Sequence, residues 1–162
     1  MKSPGTLTVA AHGDREIVMS RVFDAPRHLV FEANTKPELL KRWLGVRGGW
    51  TLKVCEVDLK VGGAYRYVWW KESAGLEMGC GGVFREIAAP ERIVCTEVFD
   101  DPWYEGECVN TTVLTEQGGA TTLTVTMSFE SREARDGVLR SPMERGVAES
   151  YNMLDELLKV PA

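Results

Sequence analysis

One stripe of apolar residues near the end of the chain constrains the fold more than any other feature. The stripe consists of Met143, Val147, Tyr151, Leu154 and Leu158, which recur at steps of three and four residues. This spacing predicts a helix with one apolar face. The run Ser141-Pro142-Met143-Glu144 matches a capping box with proline at the first helical position, so we expect the helix to begin there. Such a helix requires a broad apolar surface to lie on.

The preceding part of the chain predicts a β-sheet that supplies this surface. Runs rich in β-branched and aromatic residues predict strands at 15–23, 51–58, 64–70, 76–87, 92–99, 109–116 and 121–129. In the last of these, apolar residues alternate with Thr and Ser, which is typical of a sheet with one face on a core and one in water. Glycines at 79, 81 and 82 interrupt one strand and indicate a strongly curved sheet. We expect an antiparallel sheet of about six to seven strands.

Two short helices are predicted after the first strand. Pro26 suits a first helical turn, and Thr35 and Glu38 have the spacing of a second capping box, with Gly45 as a stop. Strands and helices do not alternate in the rest of the chain, which argues against a parallel-sheet nucleotide-binding fold. The sequence therefore predicts an α+β domain in which a curved antiparallel sheet wraps around a long C-terminal helix.

The length of 162 residues suits one domain. We expect residues 1–14 to form a flexible N-terminal arm, with an edge strand as the alternative, and residues 15–160 to form the domain. The N-terminus has no signal peptide, and no segment is apolar for long enough to insert into a membrane. We expect a cytoplasmic protein.

Charge and cysteine content exclude several kinds of partner. The net charge is −5 without basic blocks, which argues against nucleic acid as a partner. Four cysteines without a C-x-x-C pair, and only two histidines, make a metal site improbable, and no cofactor is expected. Buried cysteines in a reducing compartment are the simpler interpretation.

Several short motifs, in order, resemble the START-related, birch-pollen-allergen-like superfamily, SRPBCC, and its branch of activators of the 90-kDa heat-shock protein ATPase. The matching segments are Phe23-Asp24-Ala25-Pro26, Lys41-Arg42-Trp43, Asp58 through Gly62-Gly63-Ala64-Tyr65-Arg66, Gly82-Val83-Phe84-Arg85-Glu86-Ile87, Pro90-Glu91-Arg92-Ile93-Val94, Met143-Glu144-Arg145-Gly146 and Leu154-Asp155-Glu156-Leu157-Leu158. The resemblance extends from Glu16 onward. Val147 departs from it, because the family often has tryptophan there, and Tyr151 is bulkier than the usual aliphatic residue.

The resemblance implies a START-like helix-grip fold with a cavity between the helix and the sheet. It does not imply one activity, because members bind lipids, polyketides or hormones, and some catalyse cyclisation or hydrolysis. Our leading hypothesis is binding of a small hydrophobic or amphipathic molecule. The alternatives are a cyclase- or hydrolase-like enzyme using the same cavity, for which we find no catalytic motif, and a co-chaperone. A co-chaperone predicts an exposed patch around Trp43, Trp50 and Trp103. A homodimer is left open.

An aromatic and sulfur-rich face is the main functional signal. The predicted ligand-binding residues are Trp43, Tyr65, Tyr67, Trp69, Met78, Cys80, Phe99, Trp103, Met127, Met143, Val147 and Tyr151. This composition suits a ligand pocket, although each residue taken alone is more often part of a packed core. Possible polar anchors are Arg66, Glu97 and Asn110. The alternative for the first two is an ion pair between Arg66 and Glu97 across strands on the wet face.

Overall fold

The computed structural model describes residues 6–159 as an eight-stranded antiparallel sheet with four helices. The strands are β1 (Thr8–His12), β2 (Glu16–Phe23), β3 (Trp50–Val57), β4 (Ala64–Lys71), β5 (Leu76–Ala88), β6 (Arg92–Phe99), β7 (Cys108–Gln117) and β8 (Ala120–Ser128). The helices are α1 (Arg27–Thr35), α2 (Pro37–Leu40), α3 (Arg132–Arg140) and α4 (Met143–Lys159). The predicted α+β class, the antiparallel sheet, the two short helices and the long last helix are confirmed.

The sheet is larger than predicted by one strand. Its order is β1-β2-β8-β7-β6-β5-β4-β3, so β1 and β3 are the two edges. The additional strand, β1, lies in the segment expected to be a flexible arm, where it pairs with β2 across a turn at Gly13. Residues 1–5 of that arm, and residue 160 at the predicted end of the domain, lie outside the described residues.

Close backbone packing explains the glycines in β5. A Cβ atom at Gly82 would lie 1.9 Å from the carbonyl oxygen of Thr96 on β6, so only glycine fits there. The register between β5 and β6 shifts between Phe84 and Glu86, which marks an irregularity that bends the sheet. These features confirm that the sheet is strongly curved at this strand.

The two short helices cover one end of the concave face. The Thr121 hydroxyl on β8 donates a 2.7 Å hydrogen bond to the carbonyl oxygen of Ala25, which fixes the chain as it enters α1. The Trp43 indole donates a 2.8 Å bond to the carbonyl oxygen of Ala33, and both residues are buried. The predicted cap at Thr35 is wrong, because Thr35 is the last residue of α1 and its hydroxyl bonds back to Phe31. Lys36 occupies the cap position of α2.

Serine residues stand at the junctions before the last two helices. The Ser131 hydroxyl accepts a hydrogen bond from the Ala134 amide and caps α3. The Ser141 hydroxyl accepts from the Met143 amide at 3.3 Å, at the start of α4. A second apolar cluster, which includes Ile17 and Val138, lies under α3. Helix α4 therefore leaves a fixed junction and runs back along the main core.

Arg21 connects the sheet to α4 from a fully buried position. Its guanidinium donates a 2.8 Å hydrogen bond to the Asn152 side chain and lies 3.8 Å from the Asp155 carboxylate. The same group lies 5.0 Å from the centre of the Phe23 ring. Burial of the charged guanidinium lowers the pKa of Arg21. The nearby Asp155 carboxylate opposes this effect and favours the charged form of the arginine. This contact sets the position of α4 over β2.

Candidate functional site

A cavity of about 540 Å³ lies between the concave face of the sheet and α4. Its walls come from every strand from β2 to β8, the ends of α1 and α2, the segment after α2, the loop after β6, and the first half of α4. Most of the lining side chains are apolar or aromatic, and a few polar groups lie among them. This combination of size and lining is typical of pockets for small molecules.

Three aromatic residues of β4 form one wall. Tyr65, Tyr67 and Trp69 share a face, and their ring centroids are 5.0 Å and 5.9 Å apart along the strand. The Tyr65 hydroxyl donates a 2.6 Å hydrogen bond to the carbonyl oxygen of Thr96. The Trp69 indole donates a 2.8 Å bond to the carbonyl oxygen of Leu44. The polar ends of these two side chains are thus bound to the backbone, and the apolar ring surfaces are left to line the cavity.

Helix α4 forms the opposite wall. The Tyr151 ring is buried and contacts Phe23 edge to face, at a centroid distance of 5.7 Å, and lies 5.9 Å from Trp43. Val147 lines the cavity one turn earlier. The Ser150 hydroxyl accepts a 3.1 Å hydrogen bond from the Gly45 amide, which attaches α4 to the loop after α2. Val147 and Tyr151 therefore both contribute to the α4 wall of the cavity.

An aromatic cluster borders the cavity on the side of the loop after β6. The Phe99 ring lies 5.9 Å from Trp103 and 6.2 Å from Tyr104, and Trp103 is 47% exposed. Met78, which also lines the cavity, is 45% exposed. Large apolar groups that are half exposed at a cavity border suit an entrance.

The structure brings together nearly all of the predicted ligand-binding residues. Those that line the cavity are Trp43, Tyr65, Tyr67, Trp69, Met78, Phe99, Trp103, Met127, Met143, Val147 and Tyr151. Cys80 is fully buried and does not line it. In the sheet Cys80 pairs with Tyr67 on one side and Phe99 on the other. Both of these neighbours line the cavity, whereas the shorter side chain of Cys80 does not.

The predicted polar anchors separate into two groups. Arg66 points away from the cavity and forms a two-pronged ion pair with Asp100. The alternative pairing of Arg66 with Glu97 is therefore wrong, because Glu97 lies inside the cavity with Cys95 and Phe99 of the same strand. Asn110 also lines the cavity.

Glu97 and its neighbours form a polar cluster in the aromatic cavity. The Tyr104 hydroxyl donates a 3.5 Å hydrogen bond to Glu97 Oε1, and the Asn110 side chain also bonds to this carboxyl group. Asn110 Oδ1 in turn accepts from the Cys108 thiol at 3.3 Å. Burial raises the pKa of Glu97 above its ordinary value, and the two hydrogen bonds oppose that effect. Burial also raises the pKa of Cys95 to about 11, so this thiol is protonated at neutral pH.

Sequence reasoning missed several cavity residues. Val125 has the same strand period as Met127 and could have been found by it. Arg47, Trp50 and Tyr104 lie in or beside loops, where no period indicates direction. Their places depend on how the loops fold over the sheet.

Metal ligation and membrane insertion find no support in the described part of the chain. No group of three or more His, Cys, Asp or Glu side chains within residues 6–159 is arranged to hold a metal ion. In the same residues, no helix has the length and apolar character required to cross a membrane.

Comparison with known families identifies the chain. The family described as Activator of Hsp90 ATPase homolog 1-like protein matches residues 24–159. The chain belongs to this family. The match confirms the resemblance seen in the sequence motifs, and membership in the Activator of Hsp90 ATPase homolog 1-like family is consistent with a ligand-binding fold without specifying a ligand.

Solved structures of similar proteins share the fold over nearly the whole chain. A protein from Rhodobacter sphaeroides is 30% identical with a TM-score of 0.88, covering 94% of this chain and 97% of its own. A protein from Chromobacterium violaceum is 28% identical with a TM-score of 0.77, and the match covers 91% of this chain and 99% of that protein. A Mycobacterium smegmatis protein, at 21% identity and a TM-score of 0.84 over 97% and 99%, supports the fold alone. No curated protein matches this member of the family.

Proposed function

We propose that this protein binds a small hydrophobic or amphipathic molecule in the cavity between the sheet and α4. The observation that carries the proposal is the cavity itself, of about 540 Å³ and lined mainly by aromatic and other apolar side chains. Pockets for small molecules range from about 300 to about 1,000 Å³ and have this kind of lining.

A packed core is the competing interpretation of the same residues. Protein interiors are packed as densely as organic crystals, and their voids rarely exceed the volume of a few water molecules. An apolar void loses the dispersion contacts that a filling side chain would make. Val147 lines the cavity, and a larger side chain at this position would fill part of the space. This supports a bound molecule as the group that completes the packing.

The surface does not favour the alternative of a chaperone partner. The expected patch would consist of Trp43, Trp50 and Trp103. Trp43 is only 2% exposed and Trp50 is half-buried, while Trp103 is exposed. Trp43 and Trp50 both line the cavity, so these tryptophans contribute to the interior and not to a docking surface.

Native mass spectrometry of gently purified protein, followed by denaturing extraction, tests the proposal. We expect a co-purifying molecule, or a ligand-free mass together with binding of an apolar fluorescent dye that fatty acids or aromatic compounds displace. A ligand-free mass with no saturable dye binding would contradict the proposal and indicate that the aromatic face is packed core.

A further inference from the structure

Glu97 is the charged group inside the cavity that lacks a charged partner. Among the described residues 6–159, the other formally charged side chain that lines the cavity is Arg47, and Arg47 is paired with Glu149. In the same range, no Lys, Arg or His side chain forms an ion pair with Glu97. A buried carboxyl group without a cation is costly in its charged form. The cavity therefore contains an acidic group that a ligand cation could neutralise.

The neighbours of Glu97 favour its role as a hydrogen-bond acceptor. The Tyr104 hydroxyl donates to Glu97 Oε1. Asn110 uses its carbonyl oxygen to accept from Cys108, which leaves its amino group to donate to Glu97. Both contacts stabilise the carboxylate more than the protonated acid. The cluster therefore favours a negatively charged Glu97 carboxylate, which could accept a hydrogen bond from a positively charged group of a ligand.

Aromatic rings near this carboxyl group suit a cation as well. Glu97 interacts electrostatically with Tyr65 and Tyr67 from β4, and Phe99 follows it on the same face of β6. The face of an aromatic ring attracts a cation, more strongly when water is excluded. An ammonium group at Glu97 would therefore contact a carboxylate and ring surfaces together.

We propose that the ligand is an amphipathic amine, whose protonated nitrogen binds Glu97 while its apolar body packs among the aromatic side chains. This inference rests on the proposed function and adds the chemical class of the ligand. The net charge of −5 favours the approach of a cation to the protein.

Among the titratable groups around the proposed amine site, Glu97 is the one whose protonation state we expect to change when the ligand binds. They are Tyr65 and Tyr67 on β4, Cys80 on β5, Cys95 on β6, Tyr104 in the loop after β6 and Cys108 on β7. Burial raises the pKa of each of these, so all are neutral near pH 7. The pKa of Glu97 is also raised. A bound ammonium ion favours the carboxylate, so at a pH below the pKa of Glu97 in the free protein binding releases a proton, and the affinity rises with pH until Glu97 is ionised there.

Three probes with one apolar body and different polar groups test the inference. Naphthylmethylamine, naphthylmethanol and naphthoic acid are titrated into the wild-type protein by calorimetry, in buffers of different ionisation enthalpy. We expect the amine to bind about tenfold or more tightly than the alcohol, as a charged hydrogen bond would produce. At a pH below the pKa of Glu97 in the free protein, we also expect proton release when the amine binds, and none with the other two probes. The acid should bind most weakly, because it places a second negative charge beside Glu97.

Two variants that remove one carboxylate each complete the test. Glu97→Gln keeps the shape of the side chain and should abolish the preference for the amine while the alcohol still binds. Glu56→Gln makes the same change of charge at an exposed position on β3, outside the cavity, and should behave as wild type. Equal binding of amine and alcohol to the wild type, or tightest binding of the acid, overturns the inference but leaves the cavity function intact. If none of the three probes binds and the apolar dye does not bind either, both proposals are wrong.

Discussion

The indole nitrogen of Trp69 donates a hydrogen bond to the carbonyl oxygen of Leu44, and this bond joins the β4 wall of the cavity to the loop after α2. Gly45 follows directly, with a φ of +68°, and a Cβ atom there would lie 2.6 Å from the same indole nitrogen. The amide of Gly45 in turn donates to Ser150 on α4. Three walls of the cavity therefore meet at one glycine.

Gly45→Ala should destabilise the protein through this contact. Gly48→Ala is the matched control, because Gly48 has a similar φ of +59° but no atom near its Cβ position. We expect the control to lose about 1–2 kcal/mol of unfolding free energy from backbone strain. Gly45→Ala should lose about 1–3 kcal/mol more from the clash with Trp69. Urea unfolding measures both, and equal losses would contradict the coupling.

Two other glycines should respond to alanine in opposite directions. At Gly82 the added methyl group would meet the carbonyl oxygen of Thr96, so the backbones of β5 and β6 must separate, at a cost of about 3 kcal/mol. At Gly137, inside α3, nothing lies within 4 Å of the Cβ position, and alanine should stabilise by about 0.5–1 kcal/mol. Thermal unfolding distinguishes them. A tolerated Gly82→Ala would show that close strand packing does not require glycine there.

Arg21→Met should loosen the attachment of α4. Methionine retains much of the apolar stem but loses the bonds to Asn152 and Asp155, so we expect a loss of about 1–3 kcal/mol. Arg132→Met, at a side chain that is 67% exposed and pairs with Asp136 within α3, should change the unfolding free energy by less than about 0.5 kcal/mol. Equal effects in denaturant titrations would argue against a special role for the buried arginine.

Val147→Trp should fill the cavity and reduce ligand binding. The larger ring occupies space between α4 and β4, so the affinity for an apolar dye should fall by about tenfold or more because the pocket loses enclosed contact surface. Glu156→Trp adds the same side chain on the exposed face of α4, where Glu156 is 78% exposed, and should bind the dye normally. Normal dye binding by Val147→Trp would place the dye elsewhere.

Stability in the absence of ligand should depend on pH through Glu97. Because the pKa of this group is raised in the folded state, its contribution to stability is complete below the carboxyl pKa of the unfolded chain, about 4.3. That contribution is lost as the pH rises through the folded-state pKa. Glu97→Gln is neutral at every pH, so its unfolding free energy should gain on wild type as the pH rises from about 4.3 through the folded-state pKa of Glu97. Parallel curves for Glu97→Gln and wild type would contradict a carboxyl group whose pKa is raised in the folded state.

The strand period predicts much of this architecture because it records which side chains face the core. Tyr65, Tyr67 and Trp69 alternate with Arg66, so the same period also places Arg66 on the outer face, as the structure shows. Cys80 has the period of a cavity residue, but its side chain is short and does not line the cavity. Its neighbours on the adjacent strands, Tyr67 and Phe99, do line it. Period indicates the face of a sheet and not the depth that a side chain reaches.

Loops and short helices limit what the sequence can predict. Thr35 and Glu38 have the spacing of a capping box, yet the hydroxyl of Thr35 bonds within α1 because the helix continues through that residue. The partners of Glu97 come from the loop after β6 and from β7, and sequence patterns do not indicate which strands become neighbours. The polar cluster therefore becomes visible only in the folded chain.

The helix that closes the cavity is held by side chains. Within residues 6–159, no hydrogen bond between backbone groups joins α4 to a strand, and its polar attachments run through Glu149, Ser150, Asn152 and Asp155. The strands, by contrast, hold each other through continuous backbone ladders. A small translation of α4 would change the capacity of the interior without breaking a single ladder bond. Under the proposed function, the sheet keeps its shape while the α4 wall adapts to ligands of different thickness.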